Sequence, residues 1–155
     1  MNKYVKLSGC MLLTLSVGAI SGIATSSGIN EWFTALNKPS FNPPNYLFGP
    51  VWTVLYLLMG ISLFLILQSP KNELKNKAIA TFTIQLSLNF LWSFLFFKFQ
   101  LLGIAFFEII LIWISILVMI FVFNKINKTA ARLQIPYLLW VSFASILNGA
   151  IWWLN

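Results

Sequence analysis

Histidine is absent from this chain, and its only acidic residues are Glu31, Glu73 and Glu108. Without imidazole the commonest zinc and haem-iron ligand is missing, as is the commonest general base near neutrality. No metal site and no resident cofactor are therefore expected. Cysteine occurs once, at Cys10, so no disulfide can form within the chain. A lone thiol in an apolar run reads as a small packing residue. Charge is scarce too, at 8% of residues, where a soluble domain carries roughly a quarter to keep its surface wetted. A soluble helical bundle is excluded on that ground, because no charged stripe is left for its outside. Nucleophile–base pairs, paired carboxylates and phosphate-cradling glycine loops are missing as well.

What fills the chain instead is apolar sequence, 59% of its 155 residues. It falls into five runs, each near the ~20 residues that a helix needs to cross a bilayer core. The reading is an all-α, polytopic membrane protein: one domain over residues 1–155, with helices at about 7–27, 47–67, 78–97, 101–123 and 133–154. Lys3 and Lys6 precede the first run as in a signal peptide. That run is long enough to span, however, and another membrane helix follows it. Short polar connections after the second, third and fourth helices predict antiparallel, adjacent neighbours. An odd helix count argues against a two-half inverted-repeat transporter.

The net charge of +7 does not indicate nucleic acid, because the basic residues are scattered over loops. Their distribution is topogenic. With the amino end in the cytoplasm, Lys3, Lys6, Lys71, Lys75, Lys77, Lys125, Lys128 and Arg132 share that side, and only Lys38 and Lys98 lie opposite. The carboxyl end is then outside. The same basic loops suit anionic lipid headgroups.

Small residues at helical spacing, Gly18 and Gly22 above all, mark a face of the first helix suited to close packing. The loop over residues 28–46 carries Trp32, Phe33, Leu36, Phe41 and Tyr46 between Pro39, Pro43 and Pro44. Prolines stiffen such a segment, which suits an aromatic lid as well as an interfacial belt. At membrane depth, Gln85, Asn89 and Trp92 follow one side of the third helix. Trp52 and Tyr56 are one turn apart on the second, and Tyr137, Trp140, Ala144 and Asn148 form a stripe on the fifth. Amides in hydrocarbon need partners and so face the bundle interior. They are suited either to bonding between helices or to orienting a flat ligand in an apolar pocket. Glu108 is the one acid well inside a span and has no evident catalytic partner, while Trp113 on the same helix reads as lipid-facing.

Four segments in order resemble the TspO/translocator-protein family, the tryptophan-rich sensory proteins or peripheral-type benzodiazepine receptors. They are Trp32 with residues 36–44 (LNKPSFNPP), residues 48–60 (FGPVWTVLYLLMG), residues 85–97 (QLSLNFLWSFLFF), and residues 131–148 from Ala131-Arg132-Leu133 to Asn148. The resemblance implies a five-helix bundle, commonly homodimeric, with a pocket beneath the first loop. It implies binding of porphyrins, especially protoporphyrin IX, and of isoquinoline carboxamides and benzodiazepines. Motif positions carry Trp32, Trp52, Asn89, Trp92, Trp140, Ala144 and Asn148 into that pocket; Tyr56, Gln85 and Tyr137 join them from the stripes above. Some bacterial members break down protoporphyrin in light, which would put Trp52 and Trp140 in a catalytic role; a carrier is the remaining alternative.

Two departures stand out. Residues 147–153 (LNGAIWW) lack the tyrosine and arginine of the animal cholesterol motif, which argues against cholesterol as native ligand. Ile104 stands where many animal members have tryptophan, implying a less aromatic pocket wall. The resulting expectation is an integral protein of a bacterial cytoplasmic membrane that recognises a metal-free ring by stacking and by amide hydrogen bonds. Orientation is open to a direct test. Single cysteines near Asn72 and Lys128 are expected to react with impermeant thiol reagents from the cytoplasmic face, and one at Asn42 from outside. Labelling of position 42 from the cytoplasm would reverse the orientation and leave the helix count intact.

Overall fold

The computed structural model describes residues 2–155, and every regular element among them is helical. Five segments are long and apolar enough to cross a membrane, so the chain is an all-α five-helix membrane bundle. They are built on α1 (Lys3–Ile29), α3 (Phe48–Leu67), α4 (Glu73–Ser93, continued by a wider turn over Phe94–Lys98), α5 (Leu102–Asn124) and α7 (Ile135–Leu154). Short helices sit between them, α2 (Trp32–Ala35), a single 3-10 turn at Asn45–Leu47 that leads into α3, and α6 (Lys128–Arg132).

Helix ends depart from the limits of the apolar runs where a polar cap extends the helix beyond hydrocarbon. α1 begins at Lys3 because the Asn2 side chain accepts a hydrogen bond from the Tyr4 amide at 3.1 Å. α4 begins at Glu73 because the Asn72 side chain accepts from the Lys75 amide at 2.8 Å. Lys75 then reaches back, its Nζ donating to the Leu67 and Ser69 carbonyls at 2.7 Å each. An ammonium thus satisfies the open carbonyl end of α3. Asn127 caps α6 through the Ala130 amide at 3.0 Å, and Pro136 opens α7.

α1 packs against both α3 and α4, α4 against α5, and α5 against α7. Sequential helices are therefore not all neighbours: α3 and α4, joined by a short connection, touch only slightly because α1 lies beside both. The seam between α3 and α7 is bridged by rings, Phe48 on Trp140 at 6.1 Å and Trp52 on Tyr137 at 6.1 Å. Rings hold those two helices apart, and the space behind them becomes the cavity described below. Apolar side chains such as Leu12, Phe107, Phe121 and Leu139 point outward, as lipid-facing residues must.

The α1–α3 seam is closely packed. Gly18 lies on the Tyr56 ring, and Gly60 lies on the backbone of Met11. Thr14 Oγ1 donates across the seam to the Tyr56 carbonyl at 2.8 Å. Gly22 departs from the packing expectation, because a side-chain carbon added there would meet no atom of this chain within 4 Å. Cys10 is buried in the core.

The segment between α1 and α3 folds some of its rings onto the bundle and leaves others outside. Phe33 is buried against Phe48, Phe96 and Phe97, and Trp32 sits edge-on to Phe96, while Tyr46 is 79% exposed. Lys38 turns inward, its Nζ donating to the Phe33, Thr34 and Leu36 carbonyls.

A carbon added at Gly60 would stand 2.8 Å from the Met11 Cα. Gly60→Ala is therefore expected to force α1 off α3 and to cost ~1–3 kcal/mol, the usual scale of overpacking. Denaturant titration in mixed micelles reads this as an earlier midpoint, whereas Gly22→Ala should leave the midpoint unchanged or raise it.

Candidate functional site

α3 contributes Phe48, Trp52 and Tyr56 at successive steps of four, so the three rings stack up one face of the helix. α4 contributes Asn89, Trp92, Ser93 and Phe96 by the same periodicity, and α7 contributes Trp140, Val141, Ala144, Leu147, Asn148 and Ile151. With α1 on the fourth side, Ile109 and Ile112 of α5 behind and Phe33 above, these faces enclose a cavity of about 610 Å³. That size lies within the ~300–1,000 Å³ of pockets for drug-sized ligands. No lining residue is charged.

Polar atoms on the wall are few and mostly tied down. Tyr56 Oη donates to Asn89 Oδ1, and Asn89 Nδ2 donates to Tyr137 Oη at 2.8 Å. The chain of bonds joins α3, α4 and α7 and holds the Asn89 amide at both ends. Trp92 Nε1 donates to Asn148 Oδ1 at 3.1 Å, and Asn148 Nδ2 donates to the Leu102 carbonyl at 3.3 Å. The amides thus bond between helices and also border the cavity. Each uses one donor and one acceptor there, leaving one N–H and one lone pair unspent. Two lining residues, Trp140 and Ser21, carry a polar atom that is buried within the wall, the Trp140 Nε1 without a partner and the Ser21 Oγ beside the Tyr56 hydroxyl. Such groups are costly unless something accepts or donates to them.

Among the residues singled out from sequence, Trp52, Tyr56, Asn89, Trp92, Trp140, Ala144 and Asn148 line this cavity, as do Gly18 and Gly22. Three do not. Trp32 lies on α2 behind Phe96, and Tyr137 is fully buried behind Asn89 as a buttress. Gln85 is fully buried one turn below Asn89 with neither amide atom bonded.

Three other sequence expectations are corrected. Ile104 is 56% exposed and forms no part of the wall. Trp113 is half-buried, its Nε1 donating to Ser142 Oγ at 2.8 Å across the α5–α7 seam, so it does not simply face lipid. Gly22 opens onto the cavity and packs against no other part of its own chain. Glu108 is 6% exposed, unpartnered and off the lining.

Sequence reading missed Ser21, Phe33, Phe48, Gly49, Thr53 and Phe96 as wall residues. Phe48 was within reach, since it continues the Trp52–Tyr56 spacing by one more turn. Ser21 belongs to the small-residue face of the first helix, and such a face reads equally well as packing or as the wall of a void.

The sequence is similar to those of known proteins. The chain is 43% identical to the tryptophan-rich protein TspO of Chlorobaculum tepidum, covering all of this chain and 99% of that one. It is 33% identical to the human translocator protein over 79% of this chain and 73% of the other. It is also 33% identical to the tryptophan-rich sensory protein of Cereibacter sphaeroides over 77% and 73%. Residues 10–154 match the TspO/MBR family, so with its five spanning helices and its aromatic cavity the chain is an integral membrane protein that belongs to that family.

Proposed function

We propose that this protein is a membrane receptor that holds a flat, apolar ring in the cavity between its helices, a tetrapyrrole such as protoporphyrin IX. Isoquinoline carboxamide and benzodiazepine-type compounds are ligands of the same site. The observation that carries the reading is the uncharged cavity of about 610 Å³ walled by Trp52, Trp92 and Trp140, with the Asn89 and Asn148 amides on its lining. Apolar contact supplies affinity in such a site, and a few polar groups fix orientation. The spare hydrogen-bonding capacity of Asn89 and Asn148 adds to it. No charged residue is available to single out an ionic substrate.

The setting is a bacterial cytoplasmic membrane with the amino end in the cytoplasm, supported by the basic residues gathered at one end of the bundle. The molecule works as a homodimer in contact with lipid, without nucleic acid, and with cholesterol disfavoured as native ligand.

A second reading, breakdown of the porphyrin in light with dioxygen as oxidant, is favoured by one observation: Trp52 and Trp140 both border the cavity. Two oxidisable indoles then flank a bound ring. Movement of the ligand across liposomes would instead identify a carrier.

Purified protein titrated with protoporphyrin IX in the dark is expected to bind it saturably, quenching tryptophan fluorescence. Absence of saturation would refute the receptor reading. Illumination separates the second reading, which requires loss of the porphyrin spectrum that Trp52→Phe and Trp140→Phe abolish while dark binding persists.

Trp52→Ala and Trp140→Ala should each weaken dark binding by ~2 kcal/mol or more, about 30-fold, as truncation of a buried anchor does. Trp113→Ala, whose indole belongs to the α5–α7 seam and lies off the cavity, should change the dissociation constant far less. Equal constants for the three folded variants would move the ligand elsewhere.

A further inference from the structure

The cavity has a roof, three closed sides and one that is open. The roof is the α1–α3 connection, and it is fastened twice. Phe33, 2% exposed, is wedged among Phe48, Phe96 and Phe97. Asn37 and Asn155 are bonded reciprocally: the Asn37 amide donates to Asn155 Oδ1 at 3.0 Å, and Asn155 Nδ2 donates to the Asn37 carbonyl at 2.9 Å. Toward α7, the Trp140 indole stands between the cavity and an outer groove lined by Pro50, Val54, Leu139 and Phe143.

The α1 side differs. Toward the basic end, α1 and α3 are in close contact, Gly60 on Met11 and Gly18 on Tyr56. Their antiparallel register places Gly22, one turn beyond Gly18, at the level of Gly49 and Thr53. There the contact ceases. Ala19, Gly22 and Ser26 of α1 and Gly49 and Thr53 of α3 all line the cavity, and all are exposed. A carbon added at Gly22 or at Gly49 meets nothing within 4 Å. Five small residues therefore frame a side window between two membrane-spanning helices.

We propose that this α1–α3 window is the route by which the ligand passes between the bilayer and the cavity, so that the protein takes an apolar ring already dissolved in hydrocarbon and does not lift its roof to admit one from water. The inference rests on reading the cavity as a ligand site. A ring dissolved in lipid keeps its apolar surface out of water throughout such a passage. Passage through the roof would require breaking the Phe33 cluster and the Asn37–Asn155 pair. Small side chains leave the passage unobstructed, and the hydroxyls of Ser26 and Thr53 are occupied by backbone carbonyls of their own helices, at 2.9 Å each.

The test is stopped-flow binding and release of protoporphyrin IX in lipid nanodiscs. Gly22→Trp, which fills the window, is expected to slow both association and dissociation by ~10-fold or more. Slower release is the decisive sign, since an indole that merely occupied cavity space would speed it. Where that variant folds poorly, Gly22→Cys in a Cys10→Ala background, alkylated after purification with an aryl maleimide, places the plug in a protein already folded. Asn155→Ala unfastens the roof and should leave both rates unchanged. Unaltered rates in the plugged proteins, or faster rates on unfastening the roof, would overturn the window. Failure of the unmodified protein to bind at equilibrium is a separate result, which removes the ligand reading and the window with it.

Discussion

Leucine gains nothing by leaving lipid for the side of another leucine, so a helix bundle in hydrocarbon must be held by something other than the hydrophobic effect. In this protein two devices take its place, backbone proximity and side-chain hydrogen bonds between helices. Gly18 and Gly60 bring α1 onto α3 more closely than any residue with a side-chain carbon permits. Tyr56, Asn89 and Tyr137 then tie α3, α4 and α7 through a single amide, and Trp92 and Asn148 tie α4 to α7 and, through the Leu102 carbonyl, to α5. Each of these side chains would be an expense if left alone in a low-dielectric interior.

The cavity follows from how those devices are distributed. Where glycine is available the helices touch; where the seam is made of rings, as between α3 and α7, they are held apart. The residues that hold the bundle together therefore also line its void. Asn89 and Asn148 serve both purposes because a primary amide has four hydrogen-bonding positions and the helix ties use two. Glu108, Gln85 and Gln134 stand outside this scheme: all three are buried and unpartnered, and none borders the cavity. The positions of Gln85 and Gln134 have no physical explanation in the contacts observed.

Much of this was legible in the amino-acid order. A helix in lipid must satisfy its own backbone, so five apolar runs with charges only between them can form little else. Amides and rings in register on the α3, α4 and α7 segments also point inward on any arrangement of such helices. Helix ends were less legible, because capping by Asn2, Asn72 and Asn127 carries helix into polar sequence that hydropathy treats as loop. Trp113 shows the limit of face assignment: its position on α5 suggested lipid, and only Ser142 across the seam reveals an acceptor for its N–H.

Membrane class, helix number, the inward faces of three helices and the lack of histidine-based chemistry were determined by sequence alone, because each depends on one segment and its solvent. The order of helices around the bundle was not, since short connections permit several arrangements. Nor was the difference between Gly18 and Gly22, residues of one type, one turn apart on one helix. One meets a tyrosine ring and the other meets open space, and only the placement of α1 among its neighbours decides which glycine closes a seam and which leaves a window.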